Sequence, residues 1–234
     1  MKEKNIIVTV DDFGISKKAS SRILELAKGR KLDQVEVMMS KNIKQEQARE
    51  LLDFGVKIDI HFHLKGDVLD KWQDRKEEYK EGNLKRIFIF LRDYFFSKDR
   101  VGETEAEWYF QLSDFKKLFG RNPDGVSSHE HIHFFPAYFR LILEIAREHQ
   151  IDYVRFGRGS FKNGNGVSII LNWLKKIDLK FFKKYHLGTS DYFVSFDWIK
   201  EKKDPLLGIS QNKETELVFH PERDDEYNFL KSRF

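Results

Sequence analysis

The chain contains no cysteine. That excludes disulfides, thiolate zinc sites and a cysteine nucleophile together. It also fits a reducing compartment, so a cytoplasmic location is the expectation. Long apolar runs are missing too. No stretch approaches the ~18 consecutive apolar residues of a membrane span. Met1–Asn5 leads straight into a short apolar run that ends in carboxylates, which is not the pattern of a secretory signal. No GxxxxGK[ST] phosphate loop occurs, and the Gly-rich basic segment 156–166 reads as an ordinary loop. Repeats and linkers are absent, so one domain over residues 1–234 is expected.

What is present is a charged, Phe-rich chain. Charged residues make up 34% and there are 22 Phe, enough for a solvated surface around a sizeable core. The net charge of +4 is spread along the sequence, which reads as a Lys-biased surface and not as a nucleic-acid footprint.

Short apolar runs alternate with helical patterns. Ile6–Val10 reads as a buried strand, with Ser16 as N-cap of a helix over 17–28. Strands are expected at 35–39, 56–60, 126–128, 153–155, 189–194 and 216–219. Helices are expected at about 42–51, 103–119, 136–148 and 170–181, with a helical tail from Arg223. Residues 65–82 read as a polar loop or lid carrying Trp72 and Tyr79, followed by a helix through Leu84, Phe88, Leu91 and Phe95. The helix at 170–181 is basic and amphipathic, and it packs on the core with its lysines in solvent. Alternation of this kind implies an α/β fold of parallel strands joined by right-handed crossovers.

Chemistry-bearing residues cluster at the strand ends. Asp11 and Asp12 follow the first strand, His61 and His63 the third, His129, His131 and His133 the fourth, and His220 the last. In parallel β/α architectures the C-terminal strand ends form the active face. Adjacent buried carboxylates are costly unless their charge is used. One carboxylate with two imidazoles makes an open site for zinc or a similar divalent ion, which polarises a carbonyl and acidifies water. The other Asp of the pair is then free to act as base, and His220 to protonate a leaving group or stabilise an oxyanion. Proximity to the strands favours His61 and His129 as ligands. The spacing of two puts His129, His131 and His133 on one face of an extended backbone, where the remaining histidines orient ligands or line the cleft. A turn at Phe13-Gly14 is expected to bring Asp11 and Asp12 to one site.

Several segments together resemble the YdjC-like family of carbohydrate deacetylases, also called ChbG/HpnK. Thr9-Val10-Asp11-Asp12-Phe13-Gly14 is similar to its opening TADDFG, and Ile60-His61-Phe62 to its G-x-H-F. Ser127-Ser128-His129-Glu130-His131-Ile132-His133-Phe134-Phe135-Pro136 resembles D-S-H-x-H-x-H-x-x-P. Arg155 stands where a strand Arg is found, Thr189-Ser190-Asp191-Tyr192-Phe193 is similar to T-x-D-x-F, and Glu216-Leu217-Val218-Phe219-His220-Pro221 to E-L-M-x-H-P.

The resemblance implies an irregular (β/α) barrel of the polysaccharide-deacetylase (NodB-like, TIM-barrel-like) type. It also implies removal of an N-acetyl group from an amino sugar, free or lipid-linked, with one divalent metal, magnesium or zinc. Carried over residue by residue, Asp12, His61 and His129 hold the metal, Asp11 is the base and His220 the acid or oxyanion partner. His131, His133, Arg155 and Asp191 are candidate substrate contacts, and a homodimer is compatible with the pattern. A metallophosphoesterase or amidohydrolase on the same barrel, or a non-catalytic sugar-binding relative, are the alternatives. This chain departs from the pattern in three places. Ser127 stands where the family has Asp, which removes a carboxylate from behind the ligands. His63 is extra. The segment after His220 is shorter than the family's closing strand and helix, on which closure of the barrel depends.

Overall fold

A computed structural model of the chain describes residues 5–64, 100–160, 166–201, 206, 209 and 213–234. The expected lid with Trp72 and Tyr79, the helix through Leu84–Phe95 and residues 161–165 of the Gly-rich loop lie outside the described residues.

The elements follow the expected alternation. In chain order they are β1 (Ile6–Phe13), α1 (Lys17–Lys28), β2 (Gln34–Val37), α2 (Gln45–Asp53), β3 (Lys57–Phe62), α3 (Arg100–Phe119), β4 (Gly125–Ser128), α4 (Pro136–Glu148), β5 (Tyr153–Val154), α5 (Gly166–Tyr185), β6 (Tyr192–Ser195), β7 (Thr215–Phe219) and α6 (Asp224–Arg233). Two short 3-10 segments, His129–Phe134 and Phe196–Trp198, extend β4 and β6.

Local chemistry explains the clearest boundaries. The Ser16 hydroxyl accepts from the Ala19 N–H at 3.0 Å and so starts α1. Pro136 opens α4, where its missing N–H costs nothing. From α4, Tyr138, Phe139, Ile142, Leu143 and Ile145 are buried, and Phe139 meets Phe156 at a ring separation of 4.8 Å. Phe62 stacks on Trp108 at 5.0 Å, tying β3 to α3. Each large apolar side chain removed from water in this way contributes about 1.5–3 kcal/mol.

All strand pairs are parallel, in the order β5-β4-β3-β2-β1-β7-β6. The gap between β5 and β6 is bridged by the segment leading into β6. The Val154 N–H donates to the Gly188 carbonyl at 3.0 Å, Gly188 N–H to Asp152 at 2.7 Å, and Arg158 N–H to Ser190 at 3.1 Å. These hydrogen bonds join the two edges of the curled seven-stranded sheet through residues 188–190. Among the described residues, no helix is long and apolar enough to cross a membrane.

The strands alternate in an unusual way. Val35, Val37, Ile58 and Ile60 belong to the apolar core, while Gln34, Glu36, Asp59 and His61 on the same two strands are equally buried. The Gln34 side-chain amide donates to Asp59, and Tyr153 donates to Glu216 at 2.7 Å. The polar face of these strands is thus the barrel interior, not a solvent face.

Candidate metal centre and catalytic cleft

Asp11 and Asp12 would point to opposite faces of a regular strand. They converge because β1 is irregular at that point. Its pairing with β2 shifts register between Val10 and Phe13, and Asp12 takes a left-handed φ of 70°. Asp is among the few non-glycine residues that tolerate this region. The turn begins at Asp12, one residue earlier than the sequence suggests. Gly14 completes it with φ 103°; a Cβ there would run into the Met38 carbonyl and the Ile43 side chain.

Asp12, His61 and His129 come together. His129 Nδ1 lies 2.9 Å from Asp12 Oδ1 and His61 Nε2 lies 3.6 Å from the same oxygen, with all three ligand atoms within 4.8 Å of one another. The two imidazoles stand edge to face at 88°. Bonds of about 2.0–2.1 Å to a small divalent ion put neighbouring ligands about 3.0–3.4 Å apart. Donors of this chemistry, 2.9 and 3.6 Å apart at the Asp12 oxygen and all within 4.8 Å, are suited to one such ion. Burial disfavours charge on Asp12, but His129 outweighs it and holds the carboxyl well below the usual range.

Asp11 sits beside this cluster, with Oδ2 3.7 Å from His61 Nε2 and 4.0 Å from His220 Nε2. Arg155 grips it with both ends of the fork, at 2.8 and 2.9 Å. Burial alone would raise the Asp11 pKa, yet the guanidinium brings it down to about 2. Arg155 is itself fully buried. Its Nε donates to Glu216 at 2.7 Å and one terminal nitrogen lies 2.9 Å from Glu36. Burial works against its charge, and Asp11, Glu216 and Glu36 together overcome that and push its pKa well above the ordinary value.

His220 approaches from the end of β7. The Glu226 carboxylate of α6 accepts from the His220 backbone N–H at 2.6 Å and lies 3.4 Å from its ring Nδ1. Arg223 holds the other Glu226 oxygen at 2.7 Å. Desolvation lowers the His220 pKa, but Glu226 outweighs it and raises the value to about 9.

The remaining candidates part company. Glu130 and His131 both have left-handed φ, 55° and 58°, so the His-x-His-x-His run is coiled and not extended. Its three rings take three directions. His129 faces Asp12. His131 stands against Phe134, Phe193 and Trp198 with its Nδ1 buried and without a hydrogen-bond partner. His133 is fully buried; its Nδ1 accepts from the Ser128 hydroxyl at 2.8 Å and its Nε2 donates to the Arg155 carbonyl at 2.9 Å. His133 and Arg155 thus brace the cleft from within and offer no exposed surface to a substrate. His63 ties the β3 end to the Met39 carbonyl at 3.1 Å. Asp191 precedes β6, and its carboxylate accepts from the Glu214 N–H at 3.2 Å. That places it at the strand-start end of the barrel, away from His220, because β6 begins only at Tyr192.

Sequence reasoning did not find Glu36, Glu216 or Glu226. Glu36 was visible between Val35 and Val37 inside a strand, Glu216 at the head of the closing motif, and Glu226 as one of three acids opening the last helix.

Fold and site together define a parallel β/α barrel with an Asp–His–His cluster, a guanidinium-held carboxylate and a carboxylate-held imidazole at its strand ends. The chain belongs to the YdjC-like protein family, whose sequence model matches residues 5–233. A chitooligosaccharide deacetylase of Citrobacter koseri is 26% identical over 182 residues, 77% of this chain and 70% of that protein. One of an Enterobacter species is 28% identical over 160 residues, 62% of this chain and 56% of that protein, so the match spans little more than half of the Enterobacter protein. A crystallised Enterococcus faecalis V583 protein, named for a proposed cellobiose-phosphate cleavage, aligns with TM-score 0.65 at 17% identity, covering 99% of this chain and 92% of its own. That likeness is one of fold.

Proposed function

We propose that the protein is a metal-dependent hydrolase that removes the N-acetyl group from an acetylated amino sugar or short oligosaccharide. One observation carries the reading: Asp12, His61 and His129 meet within 4.8 Å, with Asp11 and His220 on their border. The deacetylase names of the relatives give the substrate class. A divalent ion bound by Asp12, His61 and His129 supplies Lewis acidity, polarising the acetamide carbonyl and making water more acidic.

The protein's own groups handle the protons. Asp11 accepts a proton from water as the new C–O bond forms. At a pKa near 2 it is a weak base, so its value lies in placement and in a charge that Arg155 keeps fixed. His220, cationic at neutral pH through Glu226, donates to the departing nitrogen as the C–N bond breaks. Acetate and a free amine leave, and proton exchange with solvent resets both groups.

The test is acetate release from a panel of N-acetylated saccharides, with metal content measured on the same preparation. Asp11→Asn should keep its metal and lose turnover by about 10²–10⁴-fold. Near-parental turnover in that variant would overturn the base. A metal-loaded protein that releases acetate from none of the panel would overturn the substrate class.

A further inference from the structure

We propose that Ser127 and Glu36 form a hydroxyl relay that fixes His61 in the tautomer the metal cluster requires. The inference rests on the metal reading above and deepens it. The backbone sets the stage. Parallel pairing places Ser127 directly beside His61 across β3 and β4, and Glu36 beside Asp59 across β2 and β3. All three side chains face the closed interior and are 0–2% exposed, so water does not compete for them.

The hydrogen-bond count then leaves one arrangement. Ser127 Oγ donates its single proton to Glu36 Oε2 at 2.5 Å. With that proton committed, the same oxygen can only accept from His61 Nδ1, 2.6 Å away. His61 therefore carries its proton on Nδ1, and Nε2 is left with a lone pair. Nε2 is the atom 3.6 Å from Asp12 Oδ1, facing the cluster. Metal-bound imidazoles are commonly held in this manner by a carboxylate on the far nitrogen. Here the carboxylate is one hydrogen bond removed, at 3.5 Å from Nδ1, and the Ser127 hydroxyl links the two. The missing Asp at position 127 is thus made good from β2.

Glu36 has a second duty. Its other oxygen lies 2.9 Å from Arg155, which in turn holds Asp11. One carboxylate supports both the ligand His61 and the clamp on the base. Ser127 touches only the first of these arms, so it is the cleaner position to test.

Two measurements decide the matter. In metal-free protein labelled with 15N-histidine, His61, assigned by its absence in His61→Asn, should show the Nδ1–H tautomer, and Ser127→Ala should lose that signature. In zinc titrations against a competing chelator, Ser127→Ala and Glu36→Gln should each bind about 10–100-fold more weakly. The double variant Ser127→Asp with Glu36→Gln moves the carboxylate to position 127 and should recover affinity to within several-fold of the parent. A Ser127→Ala protein with the parental tautomer and parental zinc affinity overturns the relay. Parent protein that takes up no zinc sinks the metal reading instead, and the tautomer measurement still decides the relay.

Discussion

On one face of β2 and β3, Val35, Val37, Ile58 and Ile60 join the apolar core; on the other, Gln34, Glu36, Asp59 and His61 face one another inside the barrel. Both faces exclude water, and they do it differently. The outer face gains stability from area and close packing. The inner face holds charges that repay their desolvation only if each finds a partner. Arg155 is the partner common to Asp11, Glu36 and Glu216. Where acids outnumber cations, one gives way: burial, with Glu36 and Glu216 nearby, pushes the Asp59 carboxyl well above its usual range. The outer face thus sets how stable the barrel is, and the inner face sets what charge its strand ends present.

The largest effect should come from breaking the inner face at its centre. Arg155→Met leaves three buried carboxylates without their cation and should cost about 3–5 kcal/mol in denaturant unfolding. Acetate release should vanish with it. A loss below about 1 kcal/mol would show that the interior acids are held some other way. A comparable loss should come from the outer face by another route. Ile58→Ala should cost about 2–5 kcal/mol through a cavity, with turnover per folded molecule unchanged. Lost turnover would mean the two faces are not separable.

A smaller effect concerns His220. Its pKa is raised from 6.5 to about 9, so the stability it contributes is complete below pH 6.5 and is lost as pH rises through 9. Glu226 is shifted down, so its share persists above pH 4.5. In metal-free protein, the advantage of the parent over Glu226→Gln should be on the order of 1 kcal/mol near pH 6. That advantage should shrink toward pH 9 in thermal melts. A gap constant across this range would remove Glu226 as the source of the His220 charge.

Elements marked by a local signal were legible in the sequence. Ser16 and Pro136 start α1 and α4 where capping chemistry requires, and the residues at the ends of β1, β3, β4 and β7 meet as the strand-end rule implies. The charged interior was harder to read. A Gln-Val-Glu-Val pattern is the mark of a half-exposed strand, and only ring closure turns its polar face inward. The histidine run was misleading for a related reason. Spacing of two implies a shared face only while the backbone stays extended, and the left-handed Glu130 and His131 end that. Asp191 was placed by motif, and it precedes β6, with its carboxylate beside Glu214 just before β7.

The Arg155 clamp also bears on the order of assembly. Its contact with Asp11 spans 144 residues and its contact with Glu216 spans 61. Contacts of such sequence separation must wait until the intervening loops have closed. A half-formed barrel offers Asp11 no cation, and a lone carboxylate there either stays in water or picks up a proton. The clamp therefore acts as a latch on completion: Asp11 becomes a buried carboxylate held by its cation only when β1, β5 and β7 are all in register.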